Sequence, residues 1–244
     1  MARRRFFVDE VRNGRAEITG DNAHHLTRVL RVEAGQKYEI TDNHRVWLAE
    51  VESARKSAVQ FTTIEELPTG PDLPETVLYL ALIKFERFEW AVEKATELGV
   101  TRVVPVQAQR SERGLEDGAR KRAERWRRIA HEASEQSRRL RAPEIDDPIR
   151  LSAALKDESP KRMWMDERPG APSLLRIFGK PGTSACAAAI GPEGGWSDAE
   201  RDEFAMAGWS SASLGSSILR AETAACAALA IIGQLRIPDT MDEE

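Results

Sequence analysis

The segment Leu67-Pro-Thr-Gly-Pro-Asp-Leu-Pro-Glu75 sets three prolines and a glycine between positions 68 and 74. Proline has no backbone N–H and its ring blocks the preceding turn, so neither a helix nor a central strand runs through such a stretch. Residues 68–75 therefore read as a linker, and the hydrophobic rhythm differs on its two sides. Before it, short strand-like runs recur at Phe6–Val8, Ala16–Ile18, Tyr38–Thr41, Val46–Val51 and Val59–Ile64. One helical stretch, Asp21–Val32, interrupts them. Asp21 can cap it, Leu26, Val29 and Leu30 share a face, and it stops before Gly35. Short strands around one helix predict a small, barrel-like β domain over residues 1–67.

After the linker, strands and helices alternate. Val77–Ile83 is an apolar strand candidate, and Glu86–Leu98 carries Phe88, Val92, Ala95 and Leu98 at helical spacing, with Gly99 placed to cap it. Arg102–Val106 is strand-like. A long helix is expected over Ala119–Leu140, with Ala123, Trp126, Ile129, Ala130 and Ala133 inward. Further strands are expected at Arg162–Asp166, Ala185–Ile190 and Ser211–Leu214. Ser197-Asp-Ala-Glu200 is a capping box opening a helix that ends near Gly208, and a last apolar helix covers Glu222–Leu235. This alternation predicts an α/β domain with a largely parallel sheet over residues 76–244.

Apolar residues at 41% and charged residues at 31% are enough to build a core and exclude a disordered chain. The longest apolar runs, Val77–Ile83 and Ala224–Ile232, fall well short of the roughly 20 residues of a membrane span. Met1-Ala-Arg-Arg-Arg-Phe-Phe-Val8 starts like a signal peptide, but Asp9 and Glu10 interrupt it, so a cytoplasmic protein without a membrane partner is expected. Cys186 and Cys226 sit in small-residue apolar stretches, which suits reduced thiols. Neither cysteine has a partner at ligand spacing, nor do His24, His25, His44 and His131, so no metal is expected. The net charge of −4 excludes a uniformly basic nucleic-acid binder. Its distribution is uneven, however. Residues 1–31 hold seven arginines against four acids, and residues 110–141 hold eleven basic residues against six acidic ones.

Two segments carry the chemistry. In Ala185-Cys-Ala-Ala-Ala-Ile-Gly-Pro-Glu-Gly-Gly-Trp-Ser-Asp-Ala-Glu200, an apolar strand enters a loop with three glycines, and a capped helix follows. Such a loop at the carboxyl end of a parallel strand offers backbone N–H groups and lets a ligand approach closely. Pro192 removes a donor, Glu193 repels phosphate, and the spacing departs from both the dinucleotide and the phosphate-loop patterns. A neutral or cationic ligand fits better; the alternative is a tight turn that binds nothing. Leu214-Gly-Ser-Ser-Ile-Leu-Arg-Ala-Glu-Thr-Ala224 repeats the arrangement, with Arg220, Glu222 and Thr223 at a helix start. The ordinary alternatives there are a salt bridge for Arg220 and dipole-favoured capping for Glu222.

Gly191-Pro-Glu-Gly-Gly-Trp-Ser197 followed by Leu214–Ala224 resembles the paired signature of the RsmE family, the 16S ribosomal RNA (uracil-N3)-methyltransferases of the SPOUT class. His24-His-Leu-Thr-Arg-Val-Leu-Arg31, Glu93-Lys-Ala-Thr-Glu-Leu-Gly-Val100 and Glu132-Ala-Ser-Glu-Gln-Ser-Arg138 are similar to its other motifs, so the likeness extends over the chain. Gln107-Ala-Gln-Arg-Ser111 departs from the common form. The resemblance implies an N-terminal PUA-like RNA-binding barrel and a C-terminal domain with a deep trefoil knot. It implies a homodimer that binds S-adenosylmethionine and acts on 16S rRNA or the small ribosomal subunit. Cofactor contacts would come from Met165 and Glu167, from Gly191, Glu193 and Gly195, and from Leu214, Gly215, Ile218 and Leu219.

Uracil N3 carries a proton that must leave before methylation, and the negative charge then spreads to the flanking carbonyl oxygens. Arg220 could stabilise that charge but cannot be the base, because guanidinium does not deprotonate in proteins. Glu222 or Glu193 could accept the proton; Arg220 and Glu222 are the candidate catalytic residues. With a PUA-like domain implied, the basic clusters become candidate RNA contacts: Arg3, Arg5, His25, Arg28 and Arg31, and further on Arg110 and Arg139. Arg120, Lys121, Arg122, Arg125, Arg127 and Arg128 also read as a solvated helix face. The six tryptophans read as core or interface. A SPOUT enzyme acting at another RNA position, or a noncatalytic ribosome-assembly factor, is compatible with the same patterns.

Overall fold

The computed structural model describes residues 4–69, 74–179, 182 and 184–236. Arg3 and the linker residues 70–73 lie outside them. Contacts divide the chain into two compact units, Met1–Pro71 with Ser134–Ala142, and Asp72–Ala133 with Pro143–Glu244.

The first unit is built on one five-stranded sheet: β1 (Arg5–Phe7), β2 (Arg15–Thr19), β3 (Lys37–Thr41), β4 (Val46–Arg55) and β5 (Ala58–Leu67). Their order is β1-β3-β4-β5-β2, with β1 and β3 parallel and the other pairs antiparallel. Alternation fixes the buried face: in β2, Ala16 and Ile18 point inward while Arg15, Glu17 and Thr19 point out. With Phe6, Ile40, Val51, Val59 and Phe61 they close over Ala23 and Leu26 of α1 (Gly20–Arg28).

The ends of α1 differ from expectation. Thr19, not Asp21, occupies the N-cap, and Asp21 sits in the first turn, where its charge complements the helix dipole. At the other end Val32 N–H donates to Leu26 O at 3.0 Å, and Arg31 takes a left-handed φ of 53°. This is a Schellman-type closure, so the helix ends well before Gly35 and Val29 is left 64% exposed instead of facing the core.

The second unit carries a parallel sheet. Its elements run β6 (Thr76–Ala81), α2 (Phe85–Glu97), β7 (Arg102–Gln107), α3 (Leu115–Gln136), β8 (Glu144–Ile145), β9 (Ile149–Arg150) and α4 (Leu151–Ala154). They continue with β10 (Lys161–Met165), α5 (Leu174–Phe178), β11 (Cys186–Ile190), α6 (Asp198–Met206), β12 (Ser210–Ala212) and α7 (Ala221–Gln234). The strand order is β12-β10-β11-β6-β7-β8, and β9 also pairs with β7. β8, β9, α4 and α5 are too short to show a period, which is why the sequence does not reveal them.

Both sheet faces are covered. Leu78, Leu80 and Leu82 point toward α2, α3, α5 and α7, where the tilted rings of Phe88 and Trp126 pack with centroids 4.3 Å apart. Val77, Tyr79 and Ala81 point the other way, toward Trp164, Trp196, Phe204 and Trp209. The alanine run of β11 leaves room for the alanine-rich face of α7 to approach closely.

α3 stops at Gln136, short of the expected Leu140, and Arg138 turns the chain with φ 57°. Residues 134–142, which include the last residues of α3, group with the first unit. There Arg138 pairs with Glu39 at 3.1 Å, Thr41 donates to Leu140 O at 3.2 Å, and Arg141 donates to Asn43 O at 2.7 Å.

Candidate active site

In a parallel sheet all carboxyl ends lie along one edge, where ligands of open α/β sheets bind. Here the turns following β10 and β11 meet at that edge. The capping box reads as expected: Ser197 accepts from the Glu200 N–H at 3.2 Å, and Glu200 Oε2 accepts from the Ser197 N–H at 2.8 Å. The other Glu200 oxygen accepts from the Gln109 N–H at 2.7 Å, so one carboxylate joins the turns after β7 and β11.

Two glycines of this turn are closely approached by neighbouring side chains. A Cβ on Gly191 would stand 3.0 Å from the Trp196 indole nitrogen. Gly195 has φ +67°, and a Cβ there would stand 2.5 Å from Glu167 Oε1. The second contact measures how closely the 191–195 turn approaches the 165–167 turn. Arg110 donates to Gly194 O at 2.9 Å, holding the loop from the third side.

Arg201 is the residue that organises the floor. It lies on α6, is 7% exposed, and donates to Asp166 at 2.7 Å, Glu167 at 2.8 Å and Trp196 O at 3.2 Å. Arg87 of α2 performs a similar task above. Its guanidinium pairs with Glu193 of the 191–195 turn and stands 3.8 Å from Glu222 in the first turn of α7. One cation thus links the 191–195 turn to the start of α7, which follows the second glycine-bearing turn. Arg220 is exposed at the N-cap of α7, and among the described residues no ion pair holds it, so the salt-bridge alternative is not what the structure contains. Glu222 is buried, with Oε2 lacking a hydrogen-bond partner. An open cleft of about 690 Å³ is lined by Trp90, Ile218, Leu219, Arg220 and Glu222, among others.

The other expected cofactor contacts separate by depth. Met165 ends β10 with its side chain buried in the apolar core, so only its backbone borders the turn. Leu214 and Leu219 are half-buried against the same core, while Gly215 and Ile218 are exposed. Among the expected RNA contacts, Arg28, Arg31 and Arg110 are exposed and His25 is half-buried. Arg5, also expected as an RNA contact, has a side chain only 13% exposed that bonds to the buried Glu39 at 2.8 Å. Burial pulls Arg139 down to about 10, which leaves it charged at neutral pH. Several α3 arginines are engaged in pairs: Arg122 and Arg125 both bond to Glu89, and Arg127 bonds to Asp147.

Sequence reading missed Arg87 and Arg201. Arg87 had a signal: a cation in the first turn of a helix opposes the dipole and needs acidic partners. Arg201, set among charged neighbours on α6, had none.

The arrangement fits S-adenosylmethionine in its chemistry. Glycine-lined backbone permits close approach to a nucleoside, and carboxylates at Glu193 and Glu222 suit a cationic ligand. The comparisons with known proteins agree on the class. Residues 71–233 match the RNA methyltransferase domain family, and residues 18–64 match the RNA methyltransferase PUA domain family. Ribosomal RNA small subunit methyltransferase E of Bacillus subtilis is 33% identical over 88% of each chain. That of Synechocystis is 35% identical, covering 89% of this chain and 72% of the relative. The crystal structure of the Neisseria gonorrhoeae protein of that name, bound to S-adenosylmethionine, superposes with a TM-score of 0.85 at 27% identity. The superposition covers 96% of this chain and 98% of that one. A Legionella pneumophila methyltransferase with bound S-adenosylmethionine gives 0.85 at 26% identity and the same coverage. Fold and matches thus define an RNA methyltransferase with a PUA-like domain and a parallel-sheet catalytic domain. Within that class, the chain belongs to the ribosomal RNA small subunit methyltransferase E family.

Proposed function

We propose that this protein methylates N3 of a uridine in 16S ribosomal RNA, using S-adenosylmethionine held by the turns at 165–167, 191–195 and 214–219. The observation that supports the reading is the bridge from Arg87 to both Glu193 and Glu222, which ties the 191–195 turn to the start of α7. When bound, S-adenosylmethionine supplies a methyl group on a positively charged sulfur. The chain's own task is alignment, which can contribute several kcal/mol. Gly191, Gly195 and Gly215 admit the cofactor, and Glu193 faces its charge or hydroxyls. Glu222 Oε2 takes the N3 proton, and Arg220, exposed beside the cleft, neutralises charge on the carbonyl oxygens of the base.

Residues 1–67 form the RNA-binding domain, residues 68–75 the linker and residues 76–244 the methyltransferase domain. Arg28, Arg31 and Arg110 contact phosphates, and the target base leaves its stack to reach the cleft. The turn 214–219 belongs to a deep trefoil knot. Supporting this, α7 follows the edge strand β12 yet packs on β6, β11 and α2, so Leu214–Arg220 must pass across the ends of β10 and β11. The protein works in the cytoplasm as a homodimer, on rRNA or the assembling small subunit. Among the described residues no helix is long and apolar enough to cross a membrane.

The test is to incubate the protein with labelled S-adenosylmethionine and unmodified small ribosomal subunits, then map the label. Methylation at N3 of one uridine is expected. Label on a ribose, on another base or nowhere would overturn the reading.

A further inference from the structure

Arg87 occupies a position that its own helix disfavours, since the first-turn N–H groups of α2 repel a cation. Two carboxylates on other elements account for it. Arg87 pairs with Glu193, and its Nε stands 3.8 Å from Glu222 Oε1. Glu222 is 9% exposed, and its second oxygen, Oε2, is buried without a partner. A buried carboxylate oxygen lacking a donor carries a desolvation cost that a bound donor offsets. The cleft beside it has complementary features. Trp90, at 45% the exposed tryptophan among the described residues, gives a flat apolar wall, and Arg220 gives a cation. Acceptor, flat wall and cation suit a planar ring with an N–H between two carbonyl oxygens.

We infer that Arg87 is a positioning residue: it holds Glu222 Oε1 so that the carboxylate stays at the cleft wall, where Oε2 is the acceptor for the N–H of an imide-bearing base. This rests on the methyltransferase reading above and names the subsite for its substrate base. Arg87 lines the same cleft, and its part in the reaction is exerted through Glu222.

The test uses the full-length protein with Arg87→Met, Arg87→Lys, Glu222→Gln and the Arg87→Met/Glu222→Gln double variant. Methyl transfer to unmodified small subunits gives kcat, and calorimetry gives the S-adenosylmethionine Kd. Arg87→Met is expected to lower kcat at least tenfold even at saturating S-adenosylmethionine, beyond whatever it does to the cofactor Kd through Glu193. Arg87→Lys keeps the charge and recovers part of the loss. In the Glu222→Gln background Arg87→Met has no further effect, because the residue it positions is already altered. Should Arg87→Met not fold, Arg87→Lys alone and combined with Glu222→Gln carries the same comparison. Losses that multiply in the double variant, or a loss confined to cofactor affinity, would overturn the inference. Wild-type protein that transfers no methyl group would instead overturn the functional reading itself, and this inference with it.

Discussion

Arg201 donates to Asp166 at 2.7 Å with both side chains at least nine-tenths buried, so α6 and the end of β10 are joined by an ion pair away from water. Removing one partner of such a pair leaves an uncompensated buried charge, which costs about 3–5 kcal/mol. Arg201→Met is therefore expected to lower the unfolding midpoint by roughly 6–20 °C. Calorimetry should also show weakened S-adenosylmethionine binding, because Glu167 loses the same partner. An unchanged melting curve would contradict the role assigned to Arg201.

Gly195 and Gly99 separate backbone strain from ligand access. Both have positive φ, +67° and +90°, but a Cβ on Gly99 meets nothing within 4 Å, whereas one on Gly195 meets Glu167 Oε1 at 2.5 Å. Alanine at either site costs about 1–2 kcal/mol for the left-handed backbone. Gly195→Ala should in addition weaken cofactor binding at least tenfold, while Gly99→Ala leaves the cofactor Kd unchanged. Equal effects on Kd would remove the 191–195 turn from the cofactor site.

Arg31 pays a conformational cost at the end of α1. It is an exposed arginine held at φ 53° where glycine is the common solution. Arg31→Gly is expected to raise stability by up to about 1 kcal/mol, measured by denaturant unfolding, while weakening RNA binding. A variant that is both more stable and equally tight on RNA would show that Arg31 makes no RNA contact.

Arg5 and Arg28 were alike in sequence and differ in structure. Arg28 is exposed, whereas Arg5 bonds to Glu39, which also holds Arg138. RNA affinity should fall with salt, and Arg28→Ala should reduce the salt slope by about 1. Arg5→Met should lower the melting temperature and leave that slope unchanged. The opposite assignment of slopes would reverse the two roles.

Periodicity carried the fold wherever an element was long enough to repeat. α2, α7, β6 and β11 lie within a few residues of where their patterns place them, and Ser197 and Glu200 form the capping box their spacing describes. Ends were less legible. The stops of α1 and α3 depend on left-handed turns at Arg31 and Arg138, and no propensity marks arginine for that conformation. The glycine turns were visible as turns, and the resemblance implied that they share one ligand, but the cations beside them were not visible. Those are Arg87 and Arg201, whose acidic partners lie far away in sequence and are paired only by the strand order. Local pattern likewise could not tell a half-buried, paired Arg5 from an exposed Arg28, because the difference lies in Glu39 on β3.

Amide hydrogen exchange with and without S-adenosylmethionine asks most directly whether one small molecule is gripped by chain segments this far apart. Slowed exchange should be concentrated at 165–167, 191–197 and 214–222, with the first unit unaffected. Protection at some other edge of the parallel sheet, or none at saturating concentration, would contradict the account.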